Sequence, residues 1–151
     1  MPGLYFEQFS VDQVFTHEIR RTVTESDNVW FCGATYNPAQ IHIDAEYCLT
    51  TEFRRPLMNS IFTLGLVIGL SVQDTTLGTT IANLGMTDVR FPKPVFPGDT
   101  IHARTLVVDL RGSKSRPNAG IVTFRHDGLN QQDEVVCTCF RQALMLRRPA
   151  A

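Results

Sequence analysis

The stretch from Pro56 to Gln73, PLMNSIFTLGLVIGLSVQ, contains no charged residue and is apolar on nearly every face. This pattern predicts one long helix that is buried on all sides, with Pro56 in its first turn. Gly65 and Gly69 lie four residues apart, where another backbone could approach closely. A membrane span is the alternative, but it needs about 20 predominantly apolar residues, and this run is shorter. The rest of the chain is therefore expected to enclose a buried helix.

Composition narrows the class of protein. The 151 residues suffice for a substantial core, and we assign residues 1–151 to a single domain. A formal net charge of −1 argues against a general binder of nucleic acid or anionic membranes. The cysteines show no CxxC spacing and the histidines are scattered singly, so we expect reduced cysteines and no metal site. With no secretory signal pattern at the N-terminus, a cytoplasmic protein is expected.

Short polar signals before the central stretch predict the local structure. His17 to Val23 alternates as a strand does. Thr24 is a predicted helix N-cap, and Asp27, three residues later, can return a hydrogen bond to it, as in a capping box. We expect that helix to end before the loop Asn37 to His42, NPAQIH. Asp44 caps a second short helix.

The second half of the chain reads as strands. β-branched and apolar residues, separated by Pro-Gly-Asp and other turn signals, predict strands at residues 79–84, 87–91, 101–110, 120–126 and 134–146. This order of elements predicts an α+β architecture, with an antiparallel sheet curled around the central helix. One small sheet cannot cover a helix on all sides, so we expect a homodimer or a higher oligomer of dimers.

Several motifs occur together in this chain. They are SDNVWF at 26–31, NPAQIH at 37–42, PLMNSIFTL at 56–64, VFPGDT at 95–100 and SKSRPNAGIV at 113–122. This set resembles the MaoC-like enoyl-CoA hydratases, and in particular their mesaconyl-CoA hydratase branch. The resemblance implies a hotdog fold and reversible addition of water to a 2-enoyl-CoA, including a branched dicarboxylic one. It also implies no cofactor, since coenzyme A enters only as part of the substrate.

The resemblance assigns the catalytic residues. Family members hold the reacting water with an Asp and a His, and here His42 matches while Asn37 stands in place of the Asp. An Asn cannot accept a proton at neutral pH, so His42 is the expected base, with Asn37 orienting the water. On the residues alone, His42 could equally be a satisfied loop histidine and Asn37 a turn former. Gln40 is a further candidate for substrate contact.

The thioester carbonyl is expected at the start of the central helix, where the family usually carries His-Gly and this chain carries Asn59-Ser60. The Ser60 N–H would bind the oxygen, because a helix N-terminus offers free N–H groups and a positive dipole end. Asn59 would add a side-chain donor. Ordinary helix capping is the alternative for both residues.

Basic residues are candidates for the substrate's anionic groups. Arg54 or Arg55 would pair with a distal carboxylate, which arginine can grip with two parallel hydrogen bonds. Lys114 and Arg116 would meet the coenzyme A phosphates. For all four, solvated surface charge is the alternative.

Two other functions stay open. A hotdog thioesterase would direct water at the carbonyl carbon, usually with a carboxylate base. A non-catalytic acyl-CoA-binding subunit would have lost turnover with the change from Asp to Asn37.

Overall fold

The computed structural model describes residues 3–149 and contains a six-stranded antiparallel sheet. The strand order is β1-β4-β5-β6-β3, and β2 also pairs with β4. The strands are β1 (Val14–Thr16), β2 (Arg21–Thr22), β3 (Thr80–Arg90), β4 (Thr100–Gly112), β5 (Ala119–Leu129) and β6 (Val135–Leu146). The predicted antiparallel sheet is therefore confirmed.

Three of the predicted strands differ from the structure in their bounds. The residues from His17 to Arg20 are not in a strand, and the chain instead forms the short pieces β1 and β2, which both pair with β4. The two strands expected at 79–84 and 87–91 are one strand, β3, with three irregularities in its pairing to β6. One irregularity includes Asp88, whose φ is 49°. Alternation alone did not reveal that the strand continues through these bulges.

A short 3₁₀ helix (Phe6–Gln8) and three α-helices precede the central one: α1 (Glu25–Ala34), α2 (Gln40–Ile43) and α3 (Ala45–Cys48). The predicted caps are confirmed. The N–H of Asp27 donates to Thr24 Oγ1 at 3.2 Å, while Asp27 Oδ2 accepts from the Thr24 N–H at 2.8 Å. Asp44 Oδ1 accepts from the Tyr47 N–H at 2.9 Å. The segment predicted as a loop is only partly one, because it turns into α2 at Gln40.

The central helix, α4 (Ser60–Thr75), begins four residues later than predicted. The residues before it are extended, and their N–H groups bond to other segments: Leu57 to the Ile41 carbonyl at 3.0 Å, and Met58 to the Val95 carbonyl at 2.9 Å. Asn59 is the N-cap, so Pro56 lies outside the helix.

One side of α4 is buried and the opposite side is open. The buried residues are Thr63, Leu64, Val67, Leu70, Ser71 and Thr75. The open helix strip, defined as Ile61, Gly65 and Gly69, is exposed. The prediction of burial on all sides is therefore wrong for the chain by itself. No helix within residues 3–149 has the length and hydropathy to cross a membrane.

The main core lies between α4 and the sheet. Val67 packs over Gly128 of β5, where a Cβ atom would come within 2.3 Å of Val67 Cγ2. Glycine at this position lets the helix approach the sheet closely. Cys137 and Cys139 are free, buried members of the same core, where they pack as small apolar side chains.

Candidate functional site

His42 is held by its own neighbouring backbone. Its Nδ1 lies 2.7 Å from the Leu57 carbonyl oxygen, which can only accept a hydrogen bond. Nδ1 of the neutral ring therefore carries the proton, and Nε2 is left with a free lone pair. A histidine in this tautomer can accept a proton at Nε2, as a general base must.

His42 lines a cavity of 280 Å³ between α1, the NPAQIH segment and the start of α4. We call it the polar cavity, and its lining residues are Phe31, Thr35, Asn37, His42, Asn59, Ser60 and Ile61. The cavity brings together four of the residues predicted for the site: His42, Asn37, Asn59 and Ser60. Its lining residues include no carboxylate.

The Asn37 amide is partly committed to the loop. Its Oδ1 accepts a hydrogen bond from the Ala39 N–H at 3.0 Å, in the manner of an Asx turn. The turn-forming role that the sequence left open is thus present. The Nδ2 group makes no hydrogen bond within residues 3–149, so both of its hydrogens can bind a water or ligand.

The residues at the start of α4 line the same cavity. Asn59 Oδ1 accepts from the Ile61 N–H at 3.0 Å, and Asn59 Nδ2 lies 3.8 Å from Cys32 Sγ. The capping alternative for Asn59 is therefore observed, and its side chain is occupied within the protein. No acceptor for the Ser60 N–H is found within residues 3–149, which is typical of the first turn of a helix.

A second cavity, of 230 Å³, adjoins Ser60 on its other side. We call it the apolar cavity, and its lining residues are Phe53, Leu57, Met58, Ser60, Thr63, Phe91, Pro92, Lys93, Pro94, Val95 and Val136. Lys93 is a basic residue of this lining, and its ammonium group is paired with Glu134. Ser60 thus belongs to both cavities, which places the α4 N-terminus between a polar and an apolar space.

Other predicted site residues lie elsewhere. The Gln40 side chain donates to Asp44 Oδ2 at 3.1 Å and does not line the polar cavity. The Arg55 guanidinium lies 3.7 Å from the centre of the Phe96 ring and lines neither cavity. Arg54 is exposed, with a φ of 54°. The substrate contacts expected of Gln40, Arg54 and Arg55 therefore stay predictions.

Lys114 and Arg116 are exposed in the loop between β4 and β5, and neither lines the polar or the apolar cavity. Their contact with coenzyme A phosphates stays a prediction. In the described part of the chain, no group of three His, Cys, Asp or Glu side chains is placed to hold a metal ion. The expectation that the reaction uses no cofactor also stays a prediction.

Sequence reasoning missed two residues of the site. Thr35 lines the polar cavity and donates its hydroxyl to the Phe31 carbonyl at 2.8 Å, one helical turn earlier. Asn28 is 1% exposed and bonds to the backbone on both sides of the cavity. The motif SDNVWF contains Asn28, but no signal within the motif distinguishes it from its neighbours.

Comparison with known proteins gives a consistent match. The model of the MaoC-like domain matches residues 7–128. Mesaconyl-CoA hydratase from Cereibacter sphaeroides is 32% identical over 151 residues, covering 99% of this chain and 43% of the relative. The chain thus spans less than half the length of the first curated relatives it matches.

Solved structures agree with the fold. A monoamine oxidase regulatory protein from Archaeoglobus fulgidus superposes with a TM-score of 0.86 at 31% identity, covering 99% of this chain and 98% of the other. A conserved hypothetical protein from Mycobacterium tuberculosis, described as having a double hotdog fold, gives a TM-score of 0.88 at 26% identity. That match covers 99% of this chain and 46% of the other. The expected α+β hotdog fold is therefore confirmed.

Proposed function

Because the chain belongs to the MaoC-like domain family, we propose that it is a hydro-lyase that adds water reversibly to a 2-enoyl-CoA thioester. The observation that carries this proposal is the polar cavity. There His42 and Ser60 line one space, and within residues 3–149 neither His42 Nε2 nor the Ser60 N–H has a hydrogen-bond partner. A base and an oxyanion donor around one cavity suit the addition of water next to a carbonyl.

In the proposed reaction, His42 Nε2 takes a proton from water while the water oxygen attacks C3 of the enoyl group. Asn37 Nδ2 orients that water, since Asn37 Oδ1 is used in the turn to Ala39. The imidazolium of His42, or the water bound beside it, then returns a proton to C2. The net change is one hydroxyl on C3 and one hydrogen on C2, which is the addition of one water molecule.

Negative charge develops on the thioester oxygen when C3 is attacked. The Ser60 N–H and the positive end of the α4 dipole would stabilise that oxygen. The thioester itself supplies the electron withdrawal, so no step in this proposal uses a metal or redox cofactor. The apolar cavity beside Ser60 gives room for a hydrocarbon part of the substrate.

The acyl group is proposed from the relatives, among which mesaconyl-CoA hydratase is named for a branched dicarboxylic substrate. Arg55 stacks on Phe96 and neither Arg54 nor Arg55 lines the two cavities, so their pairing with a substrate carboxylate stays a prediction. Lys93 lines the apolar cavity and is therefore a better placed cation for a substrate carboxylate. To bind it, Lys93 would have to break its ion pair with Glu134. Mesaconyl-CoA is therefore the first substrate to test, with crotonyl-CoA beside it.

A thioesterase is the weaker alternative, because the polar cavity has no lining carboxylate to act as base. We also propose a homodimer. The open helix strip and β3, an edge strand with Leu84, Met86 and Val89 exposed, are apolar surfaces that a second subunit would cover.

To test this function, the protein is incubated with each thioester. The loss of enoyl-thioester absorbance, the gain in product mass of one water and the release of free thiol are measured in parallel. Replacing His42 with Gln should lower kcat by about 10²- to 10⁴-fold, the usual contribution of a general base. His102→Gln is the matched control, since His102 pairs with Asp133 and lines neither cavity. Unchanged turnover in His42→Gln, or thiol release in place of hydration, would contradict the proposal.

A further inference from the structure

The Asn28 side chain joins three separate backbone groups around the polar cavity. Its Nδ2 donates to the His42 carbonyl at 2.8 Å and to the Leu57 carbonyl at 3.0 Å. Its Oδ1 accepts from the Asn59 N–H at 2.8 Å. Asn28 lies on the inner face of α1, one turn after its cap, and is almost fully buried.

Chemistry fixes the orientation of this amide. Two of its three partners are carbonyl oxygens and the third is an N–H, so the opposite orientation would place an oxygen against two acceptors. Both amide hydrogens are therefore used, and the oxygen has a donor. A buried polar group that satisfies partners from three positions holds those positions relative to one another.

The three partners belong to the two halves of the candidate site. One is the backbone of His42 itself. The second, the Leu57 carbonyl, also receives the His42 Nδ1–H and so sets the tautomer of the ring. The third is the N-cap residue Asn59, directly before the Ser60 N–H.

We propose that Asn28 is a positioning residue. It fixes the distance and orientation between the base at His42 and the oxyanion donor at Ser60. This inference rests on the proposed hydratase function. Asn28 does not line the polar cavity, so it acts through His42, Leu57 and Asn59 rather than on the substrate. Displacement by about 1 Å at this distance from the chemistry can cost about 100-fold in rate.

The sharpest variant is Asn28→Asp. It keeps the size of the side chain and an acceptor for the Asn59 N–H, but it removes the amide hydrogens that hold the His42 and Leu57 carbonyls. Gln132→Glu is the control, since it makes the same amide-to-acid change on an exposed turn. Asn28→Ala removes all three contacts without adding a charge. It shows whether a loss of kcat in Asn28→Asp follows from the missing donors or from the new charge.

With mesaconyl-CoA or crotonyl-CoA, we expect kcat of Asn28→Asp to fall by about 100-fold while KM changes by less than about threefold. Ground-state binding relies on the cavities, whereas the alignment of base and donor matters in the transition state. Circular dichroism and thermal unfolding identify a temperature at which the variant is fully folded. A folded Asn28→Asp protein with kcat within threefold of wild type would overturn the inference.

A second readout does not need turnover. In ¹⁵N spectra of the His42 imidazole, wild type should show a protonated Nδ1 and an unprotonated Nε2. The Asn28 variants should show a mixture of tautomers, because the Leu57 carbonyl is no longer held. If wild type hydrates neither thioester, the proposed function fails, but the spectra still decide the role of Asn28. An unchanged His42 tautomer in folded variants would refute that role.

Discussion

At the scale of single residues, five polar side chains form one hydrogen-bond chain through the interior. Arg141 Nε donates to His126 Nε2 at 3.1 Å, and His126 Nδ1 then donates to Thr105 Oγ1 at 2.9 Å. Thr105 Oγ1 lies 2.8 Å from His17 Nε2, and His17 Nδ1 lies 2.7 Å from Asp74 Oδ2. Arginine can only donate, so His126 Nε2 accepts and the neutral His126 ring carries its proton on Nδ1.

The protonation of His126 should make stability depend on pH. Burial, with smaller contributions from the charges of Arg141 and His17, lowers the pKa of His126 to about 3. The unfolded chain, with an ordinary His pKa near 6.5, then binds a proton more readily than the folded one. This contribution to stability is complete above about pH 6.5 and is lost as the pH falls towards 3. Over that window, the loss approaches about 1.4 kcal/mol per pH unit.

Urea unfolding between pH 4 and pH 7 measures this effect. The free energy of unfolding should fall more steeply with acid in wild type than in His126→Asn, which has no titrating ring. The difference between the two slopes removes the contribution of the carboxylates, which both proteins share. Parallel slopes would show that His126 does not titrate in the way its burial implies.

At the scale of elements, α1 depends on its N-terminal cap. Thr24 and Asp27 exchange three hydrogen bonds at the start of the helix that carries Asn28. Thr24→Ala should lower the free energy of unfolding by about 1 kcal/mol, because the Asp27 N–H loses its acceptor. Thr24→Ser keeps the hydroxyl and should retain most of the stability. Equal unfolding midpoints for Thr24→Ala and wild type in urea would contradict this role.

Elements that depend on near neighbours could be predicted from the sequence. The caps at Thr24 and Asp44 join residues three positions apart, and both are observed. The start of α4 could not be predicted in this way. It is set by the bond from the Asn59 N–H to Asn28, 31 residues away, and by the pairing of Met58 with Val95. An apolar run shows that a helix exists but not where distant partners end it.

The residues of the candidate site also divide into those that could be predicted from the sequence and those that could not. Family motifs located His42, Asn37 and Ser60, which do line one cavity. Asn28 was missed because its function arises from three distant backbone groups. The stacking of Arg55 on Phe96 could not be predicted either, because the tertiary fold sets the position of that ring.

At the scale of the whole molecule, the open helix strip is a helix surface that the single chain leaves exposed to solvent. A Cβ atom at Gly65 or Gly69 would meet nothing within 4 Å. The glycines are therefore not required by packing within the chain, although each costs about 1 kcal/mol of helix propensity relative to alanine. Close approach of a second subunit gives these positions a physical reason to be glycine.

Gly69→Lys tests this reasoning. Within one chain the lysine has open space, so the variant should fold, with a gain in helix propensity. In a dimer that covers the strip, the lysine would be buried without a partner, which costs more than that gain. Sedimentation velocity should therefore show a dimer for wild type and dissociation at least about tenfold easier for Gly69→Lys, about 1.4 kcal/mol. Gly33→Lys makes the same change at an open helical position of α1 and should leave association unchanged. A monomeric wild type, or equal dissociation of the two variants, would remove the strip from the subunit interface.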